Sequence, residues 1–181
     1  MGWFELLTEM IDLRSFSNLW FWIALAVMWS TASHWVLGVP YDMVMRAGRY
    51  GGQAEEDLED VVRVNVNRLL YIADVSGLWL MGLGSFILTV LGLSGFLYDL
   101  QFMQALFLLA FPMSIVWMLS MRTARHIRAT GLSGADLRRK LRLHRVMVQV
   151  IGMISIFITA MWGMFQIMTA NLPDILFKPL G

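Results

Sequence analysis

Two apolar stretches separated by a single acidic residue decide the fold: residues 75–98, VSGLWLMGLGSFILTVLGLSGFLY, and residues 100–121, LQFMQALFLLAFPMSIVWMLSM. Neither stretch holds Asp, Glu, Lys or Arg, and Asp99 alone lies between them. Each exceeds the roughly 20 residues that a helix needs to cross about 30 Å of hydrocarbon. Backbone groups cannot stay unpaired in lipid, so both stretches should be helical. The pattern predicts two crossings joined by a tight turn within residues 95–101.

Two further stretches, residues 15–41 and 146–173, also lack charged side chains. With these, we predict four transmembrane helices near residues 18–39, 74–97, 101–121 and 147–170. The chain has 181 residues, of which 58% are hydrophobic and 15% charged, whereas soluble domains have about 45–50% and 25%. The sequence therefore predicts an all-α, polytopic membrane helical bundle that forms one domain over residues 1–181.

The basic residues predict the orientation of this bundle. Twelve of the 14 Lys and Arg residues fall in the segments 42–73 and 122–146: Arg46, Arg49, Arg63, Arg68, Arg122, Arg125, Arg128, Arg138, Arg139, Lys140, Arg142 and Arg145. Arg14 and Lys178 lie on the other side. Because cytoplasmic loops carry the excess of Lys and Arg, both segments should be cytoplasmic loops. We expect a multi-pass membrane protein with both termini on the outer side, which is periplasmic if the source is a Gram-negative bacterium.

The first residues predict a surface helix. Apolar side chains recur at helical spacing within residues 3–15, while Glu5, Glu9 and Asp12 lie elsewhere on the helical wheel. A secretory signal peptide would need a positive region at this place. We therefore predict an N-terminal amphipathic helix that lies on the outer membrane surface.

Few side chains are suited to chemistry. The absence of Cys excludes disulfides and thiolate metal sites. Neither a phosphate-binding glycine loop nor metal-ligand spacing of His, Asp and Glu is present in the sequence. The net charge of +1 gives no reason to expect a nucleic-acid partner. The sequence favours a protein that is not an enzyme and holds no metal.

His34 and Asp74 are the ionisable groups nearest the membrane interior, and intramembrane charges often mark function. His34 has small residues four positions away on either side, Ser30 and Gly38. That space would suit a haem or bacteriochlorophyll ligand, although an interfacial His that only packs or hydrogen-bonds is the alternative.

A polar cluster is predicted at the inner mouth of the bundle, formed by His34, Asp74, Arg68 and His144. Asp74 in a structural ion pair with Arg68 or Arg145 is the alternative. A transport pathway would need polar groups deeper in the membrane, and Gln104 and Gln166 are the main candidates.

A run of basic residues leads into the fourth predicted span: Arg138, Arg139, Lys140, Arg142 and Arg145. Such a run is typical of contact with anionic lipid or an acidic partner. Ordinary topology charge explains it equally well.

Small residues recur along two of the predicted spans. On the fourth they are Gly152, Ser155, Thr159, Gly163 and Gln166, and on the second they are Gly77, Gly84, Gly92 and Gly95. Faces of this kind let membrane helices approach closely. They predict packing seams, with a pore lining as the alternative.

Residues 13–44, with LRSFSNLW at their start and WSTASHWVLGVPYD near their end, resemble a group of small alphaproteobacterial membrane proteins. The similarity extends through QAEEDL at residues 53–58 and NVNRLL at residues 65–70. Members are often labelled as a component of the SUF iron–sulfur assembly complex. Without Cys, this chain cannot itself hold a Cys-ligated cluster, and no functional residues carry over. The resemblance implies a bacterial inner-membrane location.

Three functions remain open from the sequence. The first is a non-enzymatic accessory or assembly subunit of a larger respiratory or photosynthetic membrane complex, whose partners are the bilayer and other membrane subunits. The second is a self-associating channel or small transporter with a polar vestibule on the cytoplasmic side. The third is a haem or pigment carrier that binds its cofactor through His34.

Overall fold

The computed structural model describes Phe16 and residues 19–176, with side chains as far as Thr169. The surface helix predicted at residues 3–15 lies outside the described residues. The described part is all-α apart from one short hairpin. Its elements are α1 Leu19–His34, β1 Trp35–Val36, β2 Val39–Pro40, α2 Tyr41–Tyr50, α3 Gln53–Phe96, α4 Gln101–Thr130 and α5 Gly134–Leu176. Helices α3, α4 and α5 are long and apolar enough to cross a membrane.

The first predicted span, 18–39, is longer than the helix that the structure contains. Helix α1 ends at His34, and the chain then forms an antiparallel hairpin in which Val36 pairs with Val39. The two residues of the turn, Leu37 and Gly38, have φ of +52° and +76°. Positive φ at both positions is the requirement of the tight turns that suit two-residue hairpins. This turn explains why the helix ends before the apolar stretch does.

The two predicted cytoplasmic loops, 42–73 and 122–146, are almost entirely helical. Helix α3 begins at Gln53 and runs without a break into the second predicted span. Helix α4 continues beyond the third predicted span to Thr130, where Gly131 in the left-handed conformation caps it. These segments are helical extensions of the spans, interrupted by short glycine-containing turns.

The helical extensions pack around one buried hydrophobic cluster. It joins the hairpin, α2, the first half of α3, the end of α4 and the start of α5. Its members include Val36, Val39, Val44, Leu58, Val62, Leu70, Met121, Ile127, Leu137 and Leu141. We call this the basic end of the bundle, because all twelve of the basic residues assigned to the cytoplasm lie on these segments or beside them. A core of this size explains why the predicted loops are ordered helices.

In the apolar part of the bundle, α1 packs against the small-residue face of α5. The ring of Trp29 lies so close to Gly152 that a Cβ there would be 2.7 Å from Trp29 Cε3. Gly163 lies against Phe16 and Trp22 in the same way. Gly152, Ser155, Thr159, Gly163 and Gln166 are all buried. The packing seam predicted on the fourth span is therefore confirmed.

The predicted turn around Asp99 is also confirmed. Helix α3 ends at Phe96 and α4 begins at Gln101. Asp99 adopts a φ of +52°, which lets the chain reverse within four residues.

Candidate functional site

The predicted polar cluster at the inner mouth of the bundle is not assembled. His34, Asp74 and Arg68 are exposed, whereas His144 is buried. Within the part of the chain that the structure describes, no hydrogen bond or ion pair joins any two of these four residues. Arg68 and Asp74 are six positions apart on α3, which puts them on different faces of the helix.

His34 ends α1 and lies beside its neighbour in the chain. Its ring contacts the Trp35 ring edge to face, with 6.0 Å between the centroids. Gly38, one of the two small residues four positions from His34, lies in the hairpin turn instead of one helical turn further along α1, because the helix has already ended. The continuous small-residue face that the sequence suggested for a macrocycle beside His34 is therefore not formed.

His144 belongs to a hydrogen-bonded group between α4 and α5. Its Nδ1 lies 3.2 Å from Thr123 Oγ1, and its Nε2 lies 3.4 Å from Ser120 Oγ. His144 lies outside the predicted spans, three residues before the fourth. Burial, together with the positive charge of Lys140, lowers the pKa of His144 from 6.5 to about 4. The imidazole is therefore neutral at physiological pH and acts as a link between two helices.

Two of the five residues in the basic run are engaged within the chain. Arg138 forms an ion pair with Glu55 at the start of α3. Arg145 donates from Nε to Ser33 O over 3.1 Å, and its guanidinium lies 3.7 Å from the centre of the Tyr41 ring. These contacts join α5 to α3, to the end of α1 and to α2.

The other members of the basic run face outward. Arg139 and Arg142 are exposed and Lys140 is half-buried. These three side chains are the ones that the fold leaves available to an anionic lipid or an acidic partner.

At the opposite end of the bundle, Gln104 is the centre of a buried hydrogen-bond network. Its side chain is 1% exposed. Its Nε2 donates to Gly95 O and to Asp99 Oδ1, each over 2.9 Å. Its Oε1 accepts from Trp162 Nε1 at 2.9 Å and from Gln166 Nε2 at 2.7 Å.

This network closes the turn between α3 and α4 against α5. The sequence singled out Gln104 and Gln166 as polar groups for a transport pathway, and Gln166 also as a member of the packing face of the fourth span. Their spacing of 62 residues gave no sign that the two amides meet. The available signal was that each is an amide in a charge-free span, where a buried polar side chain needs an interhelical partner.

The apolar half of α3 has little contact with the rest of the described chain. The most apolar 18-residue window of this helix has none of its residues buried. Leu78 and Trp79 are 85% and 82% exposed. Among the described residues, no atom lies within 4 Å of a Cβ built at Gly77, Gly82 or Gly84. We call the surface around Gly77 and Gly84, which are seven residues apart and share one side of the helix, the open face of α3.

The second predicted packing seam is therefore only partly occupied within the chain. A Cβ at Gly95 would lie 2.9 Å from the backbone N of Gln104, and one at Gly92 would lie 3.3 Å from Phe107. These two glycines pack against α4. Gly77 and Gly84 have no such neighbour among the described residues.

Groups of three or more His, Cys, Asp or Glu side chains that could hold a metal ion are not found within residues 19–169. Comparison with protein-family models, with curated proteins and with solved structures finds no match for this chain.

Proposed function

We propose that this protein is a non-enzymatic accessory or assembly subunit of a larger complex in the bacterial inner membrane, of the respiratory or photosynthetic kind. The open face of α3 carries the proposal. Three glycines lie within eight residues of a helix whose most apolar window is not buried by the described chain.

The glycines need an explanation from outside the described chain. A glycine inside a helix costs about 1 kcal/mol relative to alanine because its backbone is freer in the unfolded chain. Where Gly92, Gly95 and Gly152 occur, a neighbouring side chain or backbone fills the space. Gly77 and Gly84 are seven residues apart and so lie on the same face of α3. Their most direct use is to let a helix of another subunit approach closely, since small residues are enriched where membrane helices meet.

The proposal includes four crossings with the basic end of the bundle in the cytoplasm. Helix α1, at 16 residues, is about 24 Å long. It would complete the first crossing together with the charge-free residues on either side of it. The excess of Lys and Arg on the extensions of α3, α4 and α5 supports the cytoplasmic assignment. The resemblance of residues 13–44 to small alphaproteobacterial membrane proteins supports the inner membrane.

The test is purification of the tagged full chain at native expression in mild detergent, followed by native electrophoresis and mass spectrometry. We expect a stoichiometric complex with other membrane proteins. A symmetric oligomer that contains only this chain would refute the accessory role and favour the channel.

Variants on the open face make the test specific. Gly84→Leu should abolish co-purification of the partners and leave the thermal stability of the isolated chain unchanged. Ala160→Leu is the matched control, because Ala160 is an exposed small residue of α5 outside the open face. Loss of the partners in both variants, or in neither, would contradict the assignment of the open face as the contact.

A further inference from the structure

A cleft lies where the hairpin, α3 and α4 meet, at the junction of the apolar part and the basic end of the bundle. Its volume is about 420 Å³, which falls in the range of about 300–1,000 Å³ typical of sites for small ligands. Residues of all three elements line it, among them Trp35, Asn65, Arg68, Met113 and Trp117. We call it the interfacial cleft.

Arg68, Trp35 and Trp117 give the interfacial cleft donors that have no partner among the described residues, whereas Asn65 and Ser120, also in its lining, are hydrogen-bonded within the chain. Arg68 is exposed and makes no ion pair or hydrogen bond within the described residues. The indole N–H groups of Trp35 and Trp117 likewise have no hydrogen-bond acceptor in the described part of the chain. No Asp or Glu is among the lining residues. The cleft therefore offers positive charge and donors without a competing carboxylate, which suits an anion.

Apart from Asn65 and Ser120, the rest of the lining is apolar, and most of it lies deeper than Arg68. Arg68 lines the cleft together with Ser120, which places it near the level of Arg122, two residues later and the first charged residue after the third predicted span. Met113 is nine residues from Arg122 along α4, or about 13 Å further into the membrane. Val116, Leu69 and Ile72 line the space between. The cleft is thus charged at headgroup level and apolar toward the hydrocarbon.

A second cleft of similar size provides a contrast. It lies at the far cytoplasmic end, and its lining includes Glu59 and Asp60 next to Arg63 and Arg128. Mixed charge at that distance from the predicted spans does not match a lipid headgroup and its acyl chain. The ordered change from charge to apolar surface distinguishes the interfacial cleft.

We propose that the interfacial cleft binds one anionic phospholipid of the cytoplasmic leaflet. Arg68 holds the phosphate through charge-assisted hydrogen bonds, which are stronger than those between neutral groups. The indole N–H groups of Trp35 and Trp117 contact the headgroup and glycerol region, and one acyl chain lies along Met113 and Val116. This site is separate from the open face of α3 and does not depend on the accessory role.

The test is a titration of the purified full chain in detergent with phosphatidylglycerol, read by native mass spectrometry, and compared with phosphatidylcholine of the same chain length. We expect one phosphatidylglycerol to be retained in preference to phosphatidylcholine. Arg68→Gln should weaken the binding roughly tenfold, as expected for loss of a hydrogen bond to a charged group. Arg68→Lys should recover part of the affinity, because it keeps the charge without the planar donor pair.

Arg122→Gln is the matched control, since Arg122 is an exposed arginine at the same level that does not line the cleft. It should bind phosphatidylglycerol nearly as the wild type does. Glycerol phosphate should fail to compete at concentrations where the intact lipid is bound, because it lacks the acyl chain. Equal losses in Arg68→Gln and Arg122→Gln, equal retention of the two lipids, or competition by glycerol phosphate would each overturn the proposal.

Discussion

Replacement of Gln104 by Leu tests whether the buried amide network stabilises the end of the bundle that lies opposite the basic end. The change places an apolar side chain of similar size at a position that is 1% exposed. It removes the two hydrogen bonds donated to Gly95 O and Asp99 Oδ1. It also removes the acceptor of the Trp162 and Gln166 side chains.

The expected loss follows from the number of bonds. Interhelical hydrogen bonds in membrane proteins contribute about 0.6 kcal/mol each on average, so four contribute roughly 2–3 kcal/mol. Trp162 Nε1, on a half-buried side chain, loses its acceptor in the variant, and a donor left without a partner adds to the cost. We therefore expect Gln104→Leu to lower the free energy of unfolding by about 2–3 kcal/mol.

The assay is reversible unfolding in mixed micelles as sodium dodecyl sulfate is added, followed by tryptophan fluorescence and circular dichroism. Gln149→Leu is the matched control: Gln149 is an exposed amide of α5, and its replacement should change stability by no more than about 0.5 kcal/mol. A loss for Gln104→Leu no greater than the loss for Gln149→Leu would refute the network as the element that fastens the turn to α5.

Two further predictions concern the seam of α5 and the buried histidine. Gly152→Ala places a methyl group against the Trp29 ring and should lower the free energy of unfolding by about 1–3 kcal/mol. Gly84→Ala, in open space, should leave the free energy of unfolding equal or higher by up to about 1 kcal/mol. Equal shifts of the unfolding midpoint in the two variants, or a larger loss for Gly84→Ala, would contradict the packing described. The pKa of His144 is lowered to about 4, so the unfolded chain takes up a proton first as the pH falls below 6.5. The contribution of His144 to the free energy of unfolding should therefore be constant above that pH and fall by up to about 3 kcal/mol as the pH approaches 4. His144→Gln should flatten this part of the plot of unfolding free energy against pH. An unchanged slope in that variant would assign the effect to another group.

Much of the fold could be predicted from local sequence because the bilayer imposes a local rule. Stretches without charge must satisfy their backbone groups internally, so they become helices. The single charge at Asp99 marked the reversal between α3 and α4, and the periodic small residues of α5 marked the face that α1 covers. Each of these features is encoded within about 30 neighbouring residues.

The contacts of the candidate sites could not be predicted in the same way. Asn65 donates to Gly38 O from 27 positions away, and this bond links α3 to a hairpin that apolar composition alone presents as more helix. His144 was expected near His34 and Asp74, but the rotation of α5 about its axis turns it toward Thr123 and Ser120. Residue type places such groups at a depth in the membrane and does not say which neighbour they face.

The sequence alone determined that the chain is helical, apolar and strongly asymmetric in basic charge, because hydrophobicity and charge act on each residue separately. Only the tertiary structure decided which polar groups meet, that the amides of Gln104 and Gln166 share one network, and that Gly152 is filled while Gly84 is open. The physical reason is that helix packing depends on the relative rotation and register of whole helices. Those quantities are set by contacts between residues many positions apart, and the small-residue patterns on α3 and α5 therefore have different outcomes.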